Sequence, residues 1–157
     1  MSLDGEYASW AESLTLRDIE VTSFSATRGT GTSVGEVGVE AQVSASFLGE
    51  DVPEDRSRGL VYSFSFEITA YSQQERELGQ PDEVAAVVSI ECAAYYDASA
   101  EFTEQMEHVM RFGNEIAFME VYPYVREFFA SAMMRLGLQG TTLGMVRSGD
   151  LEISEAD

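Results

Sequence analysis

Three segments of the chain alternate between apolar and polar residues with a period of two. The first covers residues 36–47, the second runs from Leu60 to Ala70, and the third runs from Val84 to Asp97. This period is typical of strands that turn one face to a core and the other to solvent. Each segment exceeds the usual strand length of about five or six residues. The pattern therefore predicts a sheet of long strands.

A fourth strand is predicted between Leu14 and Ala26, where the alternation changes phase. Leu14 and Leu16 share one phase, residues 19 and 21 share the other, and Phe24 shifts again. A β-bulge changes the phase in this way and is commonest at sheet edges, so we expect an edge strand. No helical pattern separates the four strands, which favours an antiparallel meander.

After Asp97 the apolar residues recur with helical spacing. From Tyr124 onward they cover about half of the circumference of a helix, at residues 125, 128, 129, 132, 133 and 136. Pro123 either occupies the first helical turn or kinks a helix that begins at Asn114. Gly137 is the expected C-cap, and a shorter helix over 104–112 is expected to end at Gly113. Strands followed by helices predict the α+β class.

We expect residues 1–147 to form one domain and the acidic residues 148–157 to be a disordered tail. No run of about 18 apolar residues is present, so we expect no membrane span. The acidic start of the chain lacks the features of a signal peptide. A lone cysteine, Cys92, suits a reducing compartment, so a cytoplasmic location is expected.

The charge of the chain narrows the classes of partner. Twenty-eight acidic residues face nine basic ones, giving a net charge of -19, and every basic residue is arginine. Nucleic acids and anionic membranes require clustered cations, so neither is an expected partner. A basic protein partner fits this charge, and so does simple solubility in a salt-rich host.

The stretch from Gly31 to Gly35 matches the G-x-S-x-G pattern of serine hydrolases, with Asp97 and His108 following in the order of a triad. That pattern requires a helix after the serine, whereas a regular strand follows Ser33. The residues fit a flexible loop better, and we do not expect an enzyme.

One histidine and one cysteine cannot build a transition-metal cluster. Both are therefore expected to pack in the protein, and no cofactor or metal is expected.

The predicted helix and sheet carry more apolar residues than a single core requires. One helix cannot cover strands this long, so part of the sheet's apolar face is left for a partner. Methionines at 106, 110, 119, 133 and 134 suit promiscuous apolar binding. A closed small-ligand cavity is the alternative. The predicted binding residues are Phe118, Met119, Tyr122, Tyr124, Phe128, Met133 and Met134.

The segment from Tyr122 to Glu127 reads YPYVRE and resembles the aromatic-Pro-Tyr-x-Arg-Glu motif of the SecB family of bacterial export chaperones. The order of a bulged first strand, three long strands, a long helix and an acidic tail agrees. The similarity covers roughly residues 14–146 and is strongest over 114–136.

The resemblance implies a four-stranded antiparallel sheet with helices on one side and a homotetramer built as a dimer of dimers. It implies a chaperone that holds unfolded polypeptides in apolar grooves without ATP and delivers them to SecA through an acidic sheet surface. Asp18 matches an acid of that surface, and Glu20 is a nearby candidate. SecB-like relatives also hold antitoxins of toxin–antitoxin systems, and the sequence leaves both roles open.

Overall fold

The computed structural model describes residues 3–31, 34–48, 58–72, 83–99, 102–138 and 153–155. Within these ranges, no helix is both long enough and apolar enough to cross a membrane. The elements are α1 (Leu3–Ala11), β1 (Leu14–Arg28), β2 (Val34–Leu48), β3 (Arg58–Ser72), β4 (Val84–Ala98), α2 (Met106–Phe112), a π-helical turn (Gly113–Ala117), α3 (Phe118–Arg135) and β5 (Ile153–Glu155). The predicted α+β class, four-stranded antiparallel sheet and long C-terminal helix are confirmed.

The strands lie in the order β1-β4-β3-β2-β5, so the predicted meander is wrong. The chain leaves β1 and crosses the ends of β4 and β3 before it enters β2. The Gly29 N–H donates to the Ala85 carbonyl at 2.8 Å, and a Cβ on Gly29 would lie 2.1 Å from the Val84 oxygen. A Cβ on Gly31 would lie 2.9 Å from the Ser72 Cβ. The glycines permit this close crossing, which explains the Gly-rich stretch without a hydrolase loop.

The prediction that β1 is a bulged edge strand is confirmed. Its pairing with β4 shifts register between Leu16 and Asp18 and again between Val21 and Ser23. Each shift adds one residue to β1, and the shifts bring the apolar residues of both phases to the same face of the sheet. The inner face of β1 therefore carries Leu14, Leu16, Ile19, Val21 and Phe24, opposite inward-facing residues of β4.

The C-terminal segment contains a strand. Ile153–Glu155 pairs parallel with β2, in register with Ala41–Val43. The prediction of disorder is wrong for these three residues, because they take up backbone pairing at an exposed sheet edge. Residues 148–152, 156 and 157 of the predicted tail lie outside the described residues.

The helical part is continuous from Met106 to Arg135 and does not break at Gly113, whose φ of -59° and ψ of -44° are helical. Pro123 lies inside α3, and Asn114 lies in the π-helical turn rather than at an N-cap. Neither predicted start of the helix is therefore right. Pro123 has no N–H to donate to the Met119 carbonyl, and Met119 is an exposed residue of α3.

The predicted C-cap at Gly137 is confirmed. Gly137 has a φ of +78°, and the Leu138 N–H bonds to the Met133 carbonyl at 2.8 Å while the Gly137 N–H bonds to the Met134 carbonyl at 3.1 Å. This pair of bonds is a Schellman motif. The Arg28 guanidinium at the end of β1 donates to the Leu136 carbonyl and ties the helix end to the sheet edge.

The core lies between the long helix and the inner face of β3 and β4. Val121, Val125 and Phe129 of α3 are almost completely buried. Cys92 is buried on β4, as predicted, and desolvation raises its pKa to about 12, so the thiol stays protonated and inert. The other large inward residues of the sheet are Leu60, Tyr62, Phe64, Phe66, Ile68, Val88 and Ile90.

Gly113 lets the helix approach β3 closely. A Cβ at this position would lie 2.7 Å from Cε1 of Tyr62. That ring has little freedom to move, because the Tyr62 hydroxyl donates to the Val109 carbonyl at 2.5 Å and the ring stacks on Phe112 with centroids 5.8 Å apart. The glycine is thus required by the close contact and not by its own backbone angles.

Replacing Gly113 with alanine tests this contact. Alanine is preferred over glycine in a helix by about 1 kcal/mol, but overpacking against the fixed ring costs about 1–3 kcal/mol. We expect a net loss of up to about 2 kcal/mol in the free energy of unfolding, measured by urea denaturation. Gly38→Ala is the control, because its Cβ would lie 3.5 Å from Tyr71; equal effects of both variants would contradict the account.

Candidate functional site

The long helix is too narrow for the sheet beneath it. Four strands about 4.8 Å apart place the axes of the outermost two roughly 14 Å from each other, whereas a helix with its side chains is about 10 Å wide. The inner residues of β3 and β4 are buried under the helix, but those of β1 after Leu14 are not: Leu16 and Phe24 are each 39% exposed, and Ile19 and Val21 are half-buried. An apolar part of the inner face is therefore uncovered along β1.

The side of α3 that faces β1 continues this apolar surface. The Phe128 ring lies 5.7 Å from the Phe24 ring, and Tyr124, one helical turn before it, is 45% exposed. Residues four apart share a helix side, so both aromatics face β1. We call this surface the β1 strip and define it as Leu16, Ile19, Val21, Phe24, Tyr124 and Phe128. It can receive apolar side chains along the length of an extended peptide.

One acid borders the strip. Glu120 lies one turn before Tyr124 on the same side of α3, is half-buried, and desolvation raises the pKa of its carboxyl, an effect that the neighbouring Tyr96 hydroxyl partly offsets. The pKa of Tyr96 is itself raised, mainly by burial. The carboxylate is thus held at a place from which water is partly excluded.

The structure separates the seven predicted binding residues. Tyr124 and Phe128 belong to the β1 strip. Phe118, Tyr122 and Met133 are at most 4% exposed and belong to the core. The helix pattern predicts which residues share a side, but not how far the sheet reaches under each side.

The two remaining candidates, Met119 and Met134, are exposed at 37% and 67%. Met119 lies nine residues before Phe128, which at 100° per residue places it on the opposite side of the helix. Met134 lies six residues after Phe128 and is also turned away from β1. The two methionines are about 22 Å apart along the axis and do not join the strip.

No protein-family model and no curated protein sequence matches this chain. Nine chains of known structure do. One is the Mycobacterium tuberculosis Rv1957 SecB-like chaperone in complex with a ChAD peptide from the Rv1956 HigA1 antitoxin, with a TM-score of 0.67 and 18% identity over 90% of this chain and 96% of that chain. The fold is that of a SecB-like chaperone. The fold expected from the YPYVRE motif is thereby confirmed.

In this SecB-like fold the predicted acidic residues lie on or beside the outer face of the sheet. Glu20 is exposed and accepts a hydrogen bond from the Tyr95 hydroxyl at 3.2 Å, which raises the pKa of Tyr95. The carboxylate of Asp18 accepts from the Ile19 N–H at 2.9 Å at the first bulge. Both carboxylates are accessible to a partner, although Asp18 is partly engaged by the backbone.

The outer face also holds a shallow depression of about 290 Å³. Its walls are mostly hydroxyl, amide and carboxyl side chains, and it is open to solvent. This depression does not have the closed apolar character that the small-ligand hypothesis requires. Its lining residues on the outer face include Thr22, Gln42, Ser44, Ser63, Ser65 and Glu91.

Two residues of the predicted hydrolase triad, Asp97 and His108, lie on opposite sides of the sheet. Ser33 lies outside the described residues. Asp97 belongs to the outer side of β4 and lies 3.4 Å from Arg17, whereas His108 lies in the helix layer on the inner side. Among the described residues, no group of three or more histidine, cysteine or acidic side chains is placed to hold a metal ion.

Helix α1, which the sequence pattern did not predict, packs against α2. Tyr7 and Trp10 are buried, and the ring of each lies 5.5 Å from His108. Trp10 donates to the Thr103 carbonyl at 2.7 Å, and the Arg111 guanidinium lies 4.0 Å above the Tyr7 ring. His108 is thus a packing residue, as predicted.

Because the pKa of Glu120 is raised, the stability of the folded protein is expected to depend on pH through this carboxyl. The folded state favours the protonated carboxyl, so stability falls as pH rises through the unfolded pKa towards the folded one. Glu120→Gln removes this penalty. We expect the urea midpoint to rise at pH 8 and the gain to shrink as the pH is lowered towards 5. Glu127→Gln, an exposed position with the same charge change, is the control; a pH-independent gain, or equal gains in both variants, would refute the assignment.

Proposed function

We propose that this protein is a cytoplasmic, ATP-independent chaperone that holds an unfolded polypeptide along the β1 strip. The observation that carries the proposal is the uncovered apolar part of the inner face, on a fold shared with a SecB-like chaperone that is bound to a peptide. An exposed apolar surface of this extent is typical of an interaction site. The proposed mechanism is binding without covalent chemistry.

The strip suits an extended client with apolar side chains at intervals. Each buried aliphatic or aromatic client side chain contributes about 1.5–3 kcal/mol, from which the cost of ordering the client is subtracted. Several such contacts along one client raise the affinity through effective concentration. The net charge of -19 keeps the loaded chaperone soluble and attracts clients with basic residues.

An antitoxin is the client class that we favour, because the similar Rv1957 structure contains an antitoxin peptide. The alternative is a precursor protein held for export, with delivery to SecA through the acidic surface at Asp18 and Glu20. The two roles predict different partners at different faces: an antitoxin needs only the inner face, whereas delivery requires the outer face as well.

Substitutions in the strip test the proposed function. We expect Phe24→Ser and Tyr124→Ser to weaken binding of an unfolded client at least about fivefold each, because each removes about 1–2 kcal/mol of apolar contact. The measurement is suppression of client aggregation, followed by light scattering without nucleotide. Met106→Ser is the control, because Met106 is 56% exposed and lies outside the strip. If both strip variants are as stable as the wild type and suppress client aggregation equally well, the proposal is contradicted.

We also propose that the chaperone is a homotetramer, a dimer of dimers. Among the described residues, nothing pairs with the outer edge of β1, whose fifteen residues expose unbonded N–H and C=O groups. Antiparallel pairing of two such edges would satisfy these groups and place two strips side by side.

The mass in solution tests this assembly. We expect multi-angle light scattering to give four times the 17.3 kDa of the chain, and a dimer when the tetramer is diluted, because each interface dissociates separately. A monomer at all concentrations would refute the proposed assembly.

A further inference from the structure

Glu120 lies at one end of the β1 strip. Its carboxyl is next to the hydroxyl of Tyr96, and Tyr96 is in register with Leu16, the first residue of the strip. At the other end of the strip, the Phe128 ring lies beside the Phe24 ring. These two contacts place α3 alongside β1, with the acid beside Leu16 and the aromatic pair at the far end.

The carboxylate of Glu120 is partly withdrawn from water. Burial raises its pKa and the Tyr96 hydroxyl lowers it, and none of the described arginines is among the groups that shift it. Arg17 and Arg111 form ion pairs with other carboxylates. A charge that loses water without gaining a cation is unfavourable, so a cation that arrives with a bound polypeptide would stabilise Glu120.

The side of α3 that faces β1 has the same repeat as an extended peptide. Glu120, Tyr124 and Phe128 are four residues apart, which is about 6 Å along the helix axis at each step. Residues i and i+2 of an extended chain point to the same side and are about 6.6 Å apart. Three alternate residues of a client can therefore lie opposite these three positions at once, where one meets a carboxylate and two meet aromatic rings.

We propose that Glu120 receives a basic side chain of the client and thereby sets the register of the client in the β1 strip. The favoured client segment has an arginine or lysine at one end and apolar residues two and four positions away from it. Arginine suits the site better, because its planar guanidinium can make two hydrogen bonds to one carboxylate. Attraction by net charge alone would select the composition of a client but not the order of its residues. The inference rests on the proposed function, since the basic residue belongs to the held polypeptide.

Three fluorescent peptides of identical composition test the register. Each contains one arginine and two leucines separated by single serines, between glycine–serine flanks, and both ends are capped to remove the terminal charges. The arginine precedes both leucines, follows both, or lies between them. Binding is measured by fluorescence anisotropy with the wild type, Glu120→Gln and the control Glu67→Gln. Glu67 is exposed on the outer face, so its variant makes the same change in net charge away from the strip.

We expect the wild type to bind one of the two peptides with a terminal arginine about fivefold more tightly than the peptide with the central arginine. The tighter of the two shows the direction in which the client lies. Glu120→Gln should lose this preference, and Glu67→Gln should keep it. Citrulline, which resembles arginine in shape but has no charge, should weaken binding of the preferred peptide to the wild type and leave binding to Glu120→Gln unchanged.

Equal binding of the three peptides by the wild type, or a preference that survives in Glu120→Gln, would overturn the inference and leave the proposed function intact. An equal loss of preference in Glu67→Gln would assign the effect to net charge and would overturn it as well. If no peptide binds to the wild type, the proposed function itself is contradicted.

Discussion

One helix packs against four strands of fifteen residues, and this mismatch of widths decides which apolar residues are buried. α3 and the segments before it lie over β3 and β4, where the inward side chains lose almost all contact with water. The flanking strands extend beyond the helix on both sides. The β1 strip, the half-buried part of β2 and the exposed side of α3 all follow from this one geometric limit.

Glycines set how closely the two layers and the crossing segment approach. Gly113 allows the helix to rest on the Tyr62 ring, and Gly29 allows the chain to pass over the start of β4. In each case a Cβ would meet an atom that is held in place by hydrogen bonds. Packing therefore explains Gly29 and Gly31 of the Gly-rich stretch that suggested a hydrolase loop.

Much of the sheet could be predicted from the sequence, because apolar and polar residues that alternate with a period of two show which side chains share a face. The order of the strands could not be predicted, since alternation does not show which strands pair with each other. Gly29 and Gly31 were the local signal that the chain crosses the ends of β4 and β3. In the same way, helical spacing placed Tyr124 with Phe128 but could not show that Phe118, Tyr122 and Met133 lie over the sheet. The spacing of Leu3, Tyr7 and Trp10 at i, i+4 and i+7 could have revealed α1.

The claim that the uncovered inner face holds the client is tested most directly by site-specific photo-crosslinking. A benzophenone amino acid is placed at Tyr124 in the β1 strip or at Glu67, which is exposed on the outer face, and each protein is irradiated with an unfolded client. The account predicts strong crosslinking from position 124 and little from position 67. Equal crosslinking from both positions, or crosslinking from position 67 alone, would contradict it.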